Sequence, residues 1–333
     1  MLQIEKFSNI IETAPLVSII IPCYNYGQYI EKCIQSALDQ TYDRIEVIVV
    51  DNGSIDNSLE KINLFSNNKK VKIIELKENI PPGTEGKSAV GIAIKNSSGG
   101  YISILYADDW YLKSKIKKQI DLFNKLPSSV GVVYCHGYRY IESVGELTRW
   151  KMQSVSGYIF KDYLKKGDVV IPISPLVKRY CYEIIGLDNM YTGSEYDFLV
   201  MSQYVDFNFV DDYLVVMRDH SKNDAKNIHS VFCRVNNFHN LVLLNSEAKS
   251  RGGSLVMKRV ARDYFAFGMS FITRLDVKHA KVAIFDAIRL YPAYLFRPKM
   301  LVSVLLLFLP LRVVNIILNL SGKIHVAKEI GDG

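Results

Sequence analysis

The chain has 333 residues, 49% hydrophobic, 23% charged and 11% aromatic, which excludes wholesale disorder, a collagen-like fibre and a disulfide knot and fits one large or two modest domains. Its formal charge of +7 is unevenly placed: residues 249–333 carry 14 Lys and Arg against 5 Asp and Glu, so the body before them is mildly acidic. Basicity confined to one end fits an anionic surface better than a body that grips nucleic acid, and no nucleic-acid partner is expected.

In chain order, Val17–Pro22 reads as a buried strand, and Tyr29–Leu38 as a helix with Ile30, Cys33, Ile34, Ala37 and Leu38 on one face. Glu46–Asp51 is a second strand, and Ser54 and Asp56 offer an N-cap to a helix through Leu59, Ile62 and Leu64. Val71–Leu76 is a third strand and Lys87–Lys95 a helix; Gly99-Gly100 then punctuates before strand Tyr101–Leu105, helix Leu112–Leu126 and strand Val130–Tyr134. Strand and helix alternating at this spacing predict an α/β, doubly wound, mostly parallel sheet. Residues 136–225 are more mixed, with irregular specificity loops expected around 136–175. Residues 226–320 look helical, so a boundary is placed near 226, with domains over 1–225 and 226–333.

Five scattered cysteines without CxxC spacing indicate neither a disulfide framework nor a zinc site, and a reducing cytoplasm is the default. Glu5, Lys6 and Glu12 precede the first apolar run, so no signal peptide is read there. The longest apolar run, Met300–Leu311, is broken by Pro310 and Arg312 before Val313–Leu320 resumes. An uncharged span needs about 18 residues, so a segment lying in a membrane interface is the better reading.

Open parallel sheets place ligands beyond the carboxyl ends of their strands. Here those ends read Pro22-Cys23-Tyr24-Asn25, Asp51-Asn52-Gly53-Ser54 and Ala107-Asp108-Asp109-Trp110. Each alone is an ordinary turn or cap. Together they offer a ring, amide and carboxylate groups and an acidic pair, which suit a base, a ribose and a metal-bound diphosphate.

Residues 17–58, VSIIIPCYNYGQYIEKCIQSALDQTYDRIEVIVVDNGSIDNS, resemble the opening of the inverting family 2 glycosyltransferases of GT-A fold, of the kind that builds bacterial surface polysaccharides. The resemblance continues through Asn79, Gly99-Gly100-Tyr101 and Asp108-Asp109, the equivalent of a DxD motif. It implies a Rossmann-like nucleotide-sugar-binding half over about 15–125 and an acceptor and catalytic part over about 126–225, while the basic, apolar residues beyond read as a helical, membrane-associating appendage. Pro22 and Tyr24 then line the base, Asn25 joins them as a nucleotide-sugar contact, and Asp51 and Asn52 face base and ribose. Asn52 replaces the commoner Asp, and because an amide both donates and accepts, uracil, thymine and guanine all stay open. Asp108 matches the ribose-facing acid and Asp109 the metal-facing one, suiting Mg2+ or Mn2+. Lys87 stands where the family often has Ala-Arg-Asn and is a candidate diphosphate contact. Gly193–Phe198 resembles the family's E-D-x-D-apolar segment, which puts Glu195 on the catalytic base; a slide of two residues nominates Asp197. Met217–Asn223 resembles the family's [YF]-R-x-H-x-x-[NS] stretch, giving Arg218 to phosphate and His220 to the metal or diphosphate. His136, with no partner at ligand spacing, reads as structural.

The resemblance implies transfer of a sugar, with inversion, from a UDP-, dTDP- or GDP-sugar to an acceptor hydroxyl. The acceptor expected is a polyprenyl-diphosphate-linked saccharide in O-antigen, capsule or exopolysaccharide assembly, on the cytoplasmic face of the cell membrane. Two other readings compete. A sugar-phosphate nucleotidyltransferase would want a Gly-rich basic loop where this chain has Tyr24-Asn25-Tyr26-Gly27. A catalytically inactive, membrane-bound subunit is opposed by the retained Asp108-Asp109.

Overall fold

The Val- and Ile-rich runs build a sheet whose first strands are apolar on both faces: Ile19, Ile20, Ile21 and Val47 through Val50 are fully buried. A parallel sheet covered by helices on both sides requires that continuous burial. The computed structural model describes residues 14–81, 84, 87–167, 169–187, 195–223 and 226–320. The chain forms two compact units, Met1–Asn223 and Asp224–Gly333.

In the first unit β1 (Val17–Cys23), α1 (Ile30–Leu38), β2 (Ile45–Asp51), α2 (Ser58–Asn63), β3 (Val71–Glu75), α3 (Ala89–Lys95) and β4 (Tyr101–Ile104) succeed one another as the alternation predicts. Next come β5 (Trp110–Tyr111), α4 (Lys115–Phe123), β6 (Val130–Ile141), β7 (Glu146–Trp150), α5 (Phe160–Lys166), β8 (Leu176–Lys178), α6 (Arg179–Ile185), α7 (Glu195–Met201) and β9 (Asp206–Asp219). The sheet order is β3-β2-β1-β4-β8-β6-β9-β5, with β7 paired to β6. β1 to β4 are mutually parallel, whereas β8 runs antiparallel to both β4 and β6, so the second half of the sheet is mixed. The register pairs Cys23 with Asp51, and the Leu105 N–H bonds Ile20 O, so the carboxyl ends of β1, β2 and β4 open on one edge.

Segment 136–175 is more regular than its sequence suggests. β6 runs on to Ile141, hairpins into β7 and is succeeded by α5. Its polar second half is held as strand by neighbours on both sides, β7 and β9, a non-local pairing that no local pattern announces. β9 is irregular against β6: Cys135 pairs with Val210 and His136 with Tyr213, so Asp211 and Asp212 are extra residues. Such bulges bend a strand and re-aim the side chains beyond them. His136 is fully buried with Nε2 2.9 Å from Asp211 Oδ1, and its Nδ1 accepts the Met152 N–H, which is the structural role expected of it.

One core residue is a lysine. Lys115, fully buried in the first turn of α4, donates to Ser103 Oγ at 2.7 Å and stands 4.2 Å from the Tyr111 ring centroid. Burial pulls its pKa down to about 7, and the positive end of the helix dipole acts in the same direction.

The second unit comprises α8 (Ile228–Phe238), a π turn (His239–Leu243), α9 (Ser246–Gly252), α10 (Ser254–Thr273), α11 (Val277–Leu290), a 3-10 turn (Pro292–Phe296), α12 (Pro298–Leu306) and α13 (Leu311–Leu320). Pro310 divides the apolar tail into its last two helices, and its carbonyl accepts the Val313 and Val314 N–H groups that open α13. Among the described residues no helix is long and apolar enough to cross a membrane.

Lys115 generates a pH test. Between its folded value of about 7 and the ordinary 10.5 the unfolded chain holds the extra proton, so this residue makes the fold more stable as pH rises. Lys115→Met, which keeps the volume without the charge, should therefore gain most over the wild type near pH 7 and progressively less toward pH 9.5, the gap closing by up to about 1.4 kcal/mol per pH unit. Urea unfolding at several pH values reads this; a constant gap would mean the ammonium is charged inside the fold throughout.

Candidate active site

Two loops meet at the sheet edge. After β1, Asn25 adopts a left-handed φ of 58°, its N–H donates to Ser54 Oγ at 3.0 Å, and its Oδ1 accepts the Ile55 N–H at 2.8 Å. The Tyr26 N–H donates to Ser58 Oγ and the Gly27 N–H to Asp56 Oδ2. A Cβ on Gly27 would lie 2.0 Å from Asn57 Oδ1, and one on Gly53, where φ is +72°, 2.6 Å from the Glu78 backbone. Position 53 therefore requires glycine, since backbone cannot give way and φ is left-handed, whereas at Gly27 the Asn57 side chain would have to move. Tyr24 is 38% exposed beside this edge, while Asp51 is 2% exposed. Asp51 Oδ2 accepts the Ser54 N–H, and its buried Oδ1 has no hydrogen-bond partner among the described residues.

Asn52 spends its amide within the fold. Nδ2 donates to Asn79 Oδ1 and Ile80 O, and Oδ1 accepts the Ile80 N–H. A carboxylate could not supply the two donated bonds, which gives Asn at this position a physical reason.

The acidic pair lies just beyond β4. Asp108 is 8% and Asp109 3% exposed. β5 pairs Trp110 with Val216 of β9, so the bulged strand brings Arg218 and His220 to the pair. The Arg218 N–H donates to Asp109 Oδ1 at 2.8 Å and its Nε to the Asp108 carbonyl at 3.0 Å. His220 Nε2 lies 3.0 Å from Asp108 Oδ2, and Asn223 Nδ2 donates to the same oxygen at 3.2 Å. His220 Nδ1 accepts the Lys222 N–H, which leaves Nε2 to carry the proton in the neutral ring. The Tyr26 and Tyr29 rings sit 5.9 and 5.1 Å from His220, joining the loop after β1 to the end of β9. Burial first, and then the charge of Asp108, pushes the Asp109 carboxyl well above its ordinary value, against the opposing pull of Arg218. Two adjacent carboxylates shielded from water in this way are short of positive charge, which a divalent cation would supply.

Glu142, just beyond β6, is a site residue that the sequence reading misses. It accepts from Arg218 Nη1 at 2.9 Å and from the Tyr29 hydroxyl at 2.8 Å. Burial raises its pKa, but the Tyr29 and Arg218 hydrogen bonds and the Arg218 charge outweigh that and hold it low. The Tyr29 phenol is pushed up to about 12 by burial and by Glu142. The Arg218 guanidinium also lies 4.3 Å from the Tyr29 ring centroid and 5.2 Å from that of Trp110, while Lys32 Nζ covers Trp110 at 3.3 Å.

The expected residues Asp108, Asp109, Arg218 and His220 thus form one bonded cluster, and Pro22, Tyr24, Asn25, Asp51 and Asn52 occupy the neighbouring strand ends. Lys87 is exposed just before Ser88, the N-cap of α3, and among the described residues no hydrogen bond or ion pair joins it to the acidic pair. Glu195 opens α7, and its side chain lies outside the described residues. Asp197 is 1% exposed, and its charge helps, after burial, to raise the Tyr182 phenol.

Without divalent ions at neutral pH, Asp109→Asn should equal or exceed the wild type in stability, by up to about 1 kcal/mol, since it removes a like charge and keeps the acceptor for Arg218. An acid with a raised folded pKa destabilises the fold above its unfolded value, so the advantage should vanish at low pH. Chemical unfolding in EDTA measures it; a loss above about 1 kcal/mol would show the carboxylate to be a net stabiliser.

The glycosyl transferase family 2 model matches residues 18–177. An uncharacterised glycosyltransferase of Haemophilus influenzae is 38% identical over 181 residues, 53% of this chain and 67% of that one. Another, from Rickettsia felis, is 34% identical over 245 residues, 66% of this chain but only 37% of the relative, so this chain spans little more than a third of it. Among solved structures, residues 1–349 of TarS from S. aureus, in complex with UDP, superpose with a TM-score of 0.64 over 96% of this chain and 95% of that one, at 15% identity, a likeness of fold. The chain belongs to glycosyl transferase family 2 and has its GT-A fold.

Proposed function

We propose that this chain is a metal-dependent glycosyltransferase that moves a sugar from a nucleoside-diphosphate donor to an acceptor hydroxyl with inversion. The observation that carries the reading is the buried Asp108–Asp109 pair, held at the carboxyl edge of the parallel strands by donors from β9 and the residues just beyond it. Asp109, with Asp108 beside it, would hold Mg2+ or Mn2+, and the His220 Nε2–H, expected from sequence near the metal or diphosphate, would orient the Asp108 carboxylate rather than ligate the ion; when bound, such an ion offsets charge gathering on the departing diphosphate. Arg218, braced by Glu142, brings a fixed positive charge to the same place. Tyr24 offers a face to the base, and Pro22 and Asn25 shape the loop around it. The unpartnered Asp51 Oδ1 is an acceptor for a nucleotide N–H or O–H, with Asn52 holding the adjoining loop. Lys87 remains a candidate for the diphosphate.

In this reading Glu195 takes the acceptor proton as its oxygen attacks the anomeric carbon. The near-complete burial of Asp197 supports Glu195 over it. A panel of UDP-, dTDP- and GDP-sugars scored for nucleoside diphosphate release should find one donor hydrolysed slowly with Mn2+ and spared in EDTA. Asp109→Asn should abolish that release, and full turnover in EDTA would refute the metal. With acceptor present, Glu195→Gln should lower kcat by about 10²–10⁴ while donor affinity stays near normal. If Asp197→Asn does so instead, the base is Asp197.

The exposed apolar residues Leu301, Val302, Leu305 and Phe308, close in sequence to Arg297, Lys299 and Arg312, support a peripheral seat on an anionic membrane and a polyprenyl-diphosphate-linked acceptor. Each basic residue at an anionic surface adds roughly 1 kcal/mol, which salt screens, whereas apolar insertion resists salt. The protein should sediment with anionic vesicles, stay bound in high salt and leave with mild detergent; protein that stays in the supernatant would refute the membrane seat.

A further inference from the structure

The helical unit gathers two imidazoles and a carboxylate at one turn. α10 ends with Leu275 at a φ of 59°, its N–H on Ile272 O and that of Asp276 on Phe271 O, the paired bonds of a Schellman turn closed by leucine where glycine is usual. Asp276 then caps α11, its Oδ1 accepting the His279 N–H at 3.1 Å. Capping consumes only that oxygen. Oδ2 faces His279 Nδ1 at 2.7 Å and His229 Nε2, from the first turn of α8, at 3.4 Å. The two imidazoles meet edge to face with centroids 4.7 Å apart, and both rest on Phe271.

We propose that His229, Asp276 and His279 form a binding site for a borderline divalent cation, Zn2+ in particular, separate from the Asp108–Asp109 pair. One donor atom from each residue already lies within 4.8 Å of the other two. Tetrahedral zinc with bonds of about 2.0–2.1 Å sets its ligand atoms roughly 3.3 Å apart, so small side-chain rotations suffice. The side chains are 52%, 23% and 41% exposed in the order His229, Asp276, His279, which gives a cation an entry path and leaves a coordination position for water. Two imidazole nitrogens select late transition ions, whereas the oxygen-rich Asp108–Asp109 pair suits hard ions. Zinc here would tie α8 to the α10–α11 turn, closing a long loop within this unit and raising its stability.

The test uses the full chain, stripped with EDTA and dialysed, titrated with zinc chloride by calorimetry and monitored by thermal melting. Wild type should bind Zn2+ and melt higher with it. His229→Gln, His279→Gln and Asp276→Asn should each weaken that binding at least about tenfold and lose the melting increment. Asparagine caps a helix about as well as aspartate, so Asp276→Asn keeps the turn if a histidine variant folds poorly. Co2+ in place of Zn2+ should give a visible absorption band that the variants lack. Isotherms of wild type, His229→Gln and Asp276→Asn that overlay would overturn the proposal, because any zinc then sits at Cys233, at the acidic pair or nowhere, and the cluster is only a hydrogen-bonded cap.

Discussion

The first unit is organised around an electrostatic conflict, two neighbouring carboxylates withheld from water. Burial and the neighbouring charge of Asp108 push the Asp109 carboxyl toward its protonated form. The two acids are tolerated because residues more than a hundred positions later deliver donors to them: the Arg218 backbone and guanidinium, the His220 ring and the Asn223 amide. Those donors arrive only if β9 pairs with β5 and carries its bulges against β6. Strand order, bulge and acidic pair are thus one arrangement, and residual strain of this kind is expected where function, not stability, selects the residues.

The same logic extends outward. Arg218 is positioned by Glu142 and by the faces of Tyr29 and Trp110, and Tyr29 and Tyr26 link that network to the loop after β1. Substitutions at Glu142 or Tyr29 would act on the acidic pair through Arg218, although neither side chain hydrogen-bonds a carboxylate of the pair among the described residues.

Much of this architecture is legible in the sequence. The apolar runs locate β1 to β4 within a residue or two, since strands buried on both faces announce themselves without reference to partners. The acidic pair, Arg218 and His220 stand out through short motifs. The mixed half of the sheet does not: β8 has three residues, β5 two, and the polar end of β6 is strand only because β7 and β9 flank it. Glu142 is invisible for that reason, being an ordinary acid after a strand that local pattern does not reveal. Asn52 reads as a ligand contact, while its amide is committed to Asn79 and Ile80, a loop contact with no local signature. The His229, Asp276 and His279 cluster is likewise hidden by a separation of 47 residues between its first two members.

If the acidic pair anchors a divalent cation, nucleoside-diphosphate binding must depend on that ion. Calorimetric titration of UDP, GDP and dTDP into the protein, in Mn2+ and then in EDTA, tests it without requiring an acceptor or turnover. One nucleotide should bind clearly in Mn2+ and lose at least about tenfold in affinity in EDTA, a difference above about 1.4 kcal/mol. Equal affinity for that nucleotide with and without the metal would contradict it.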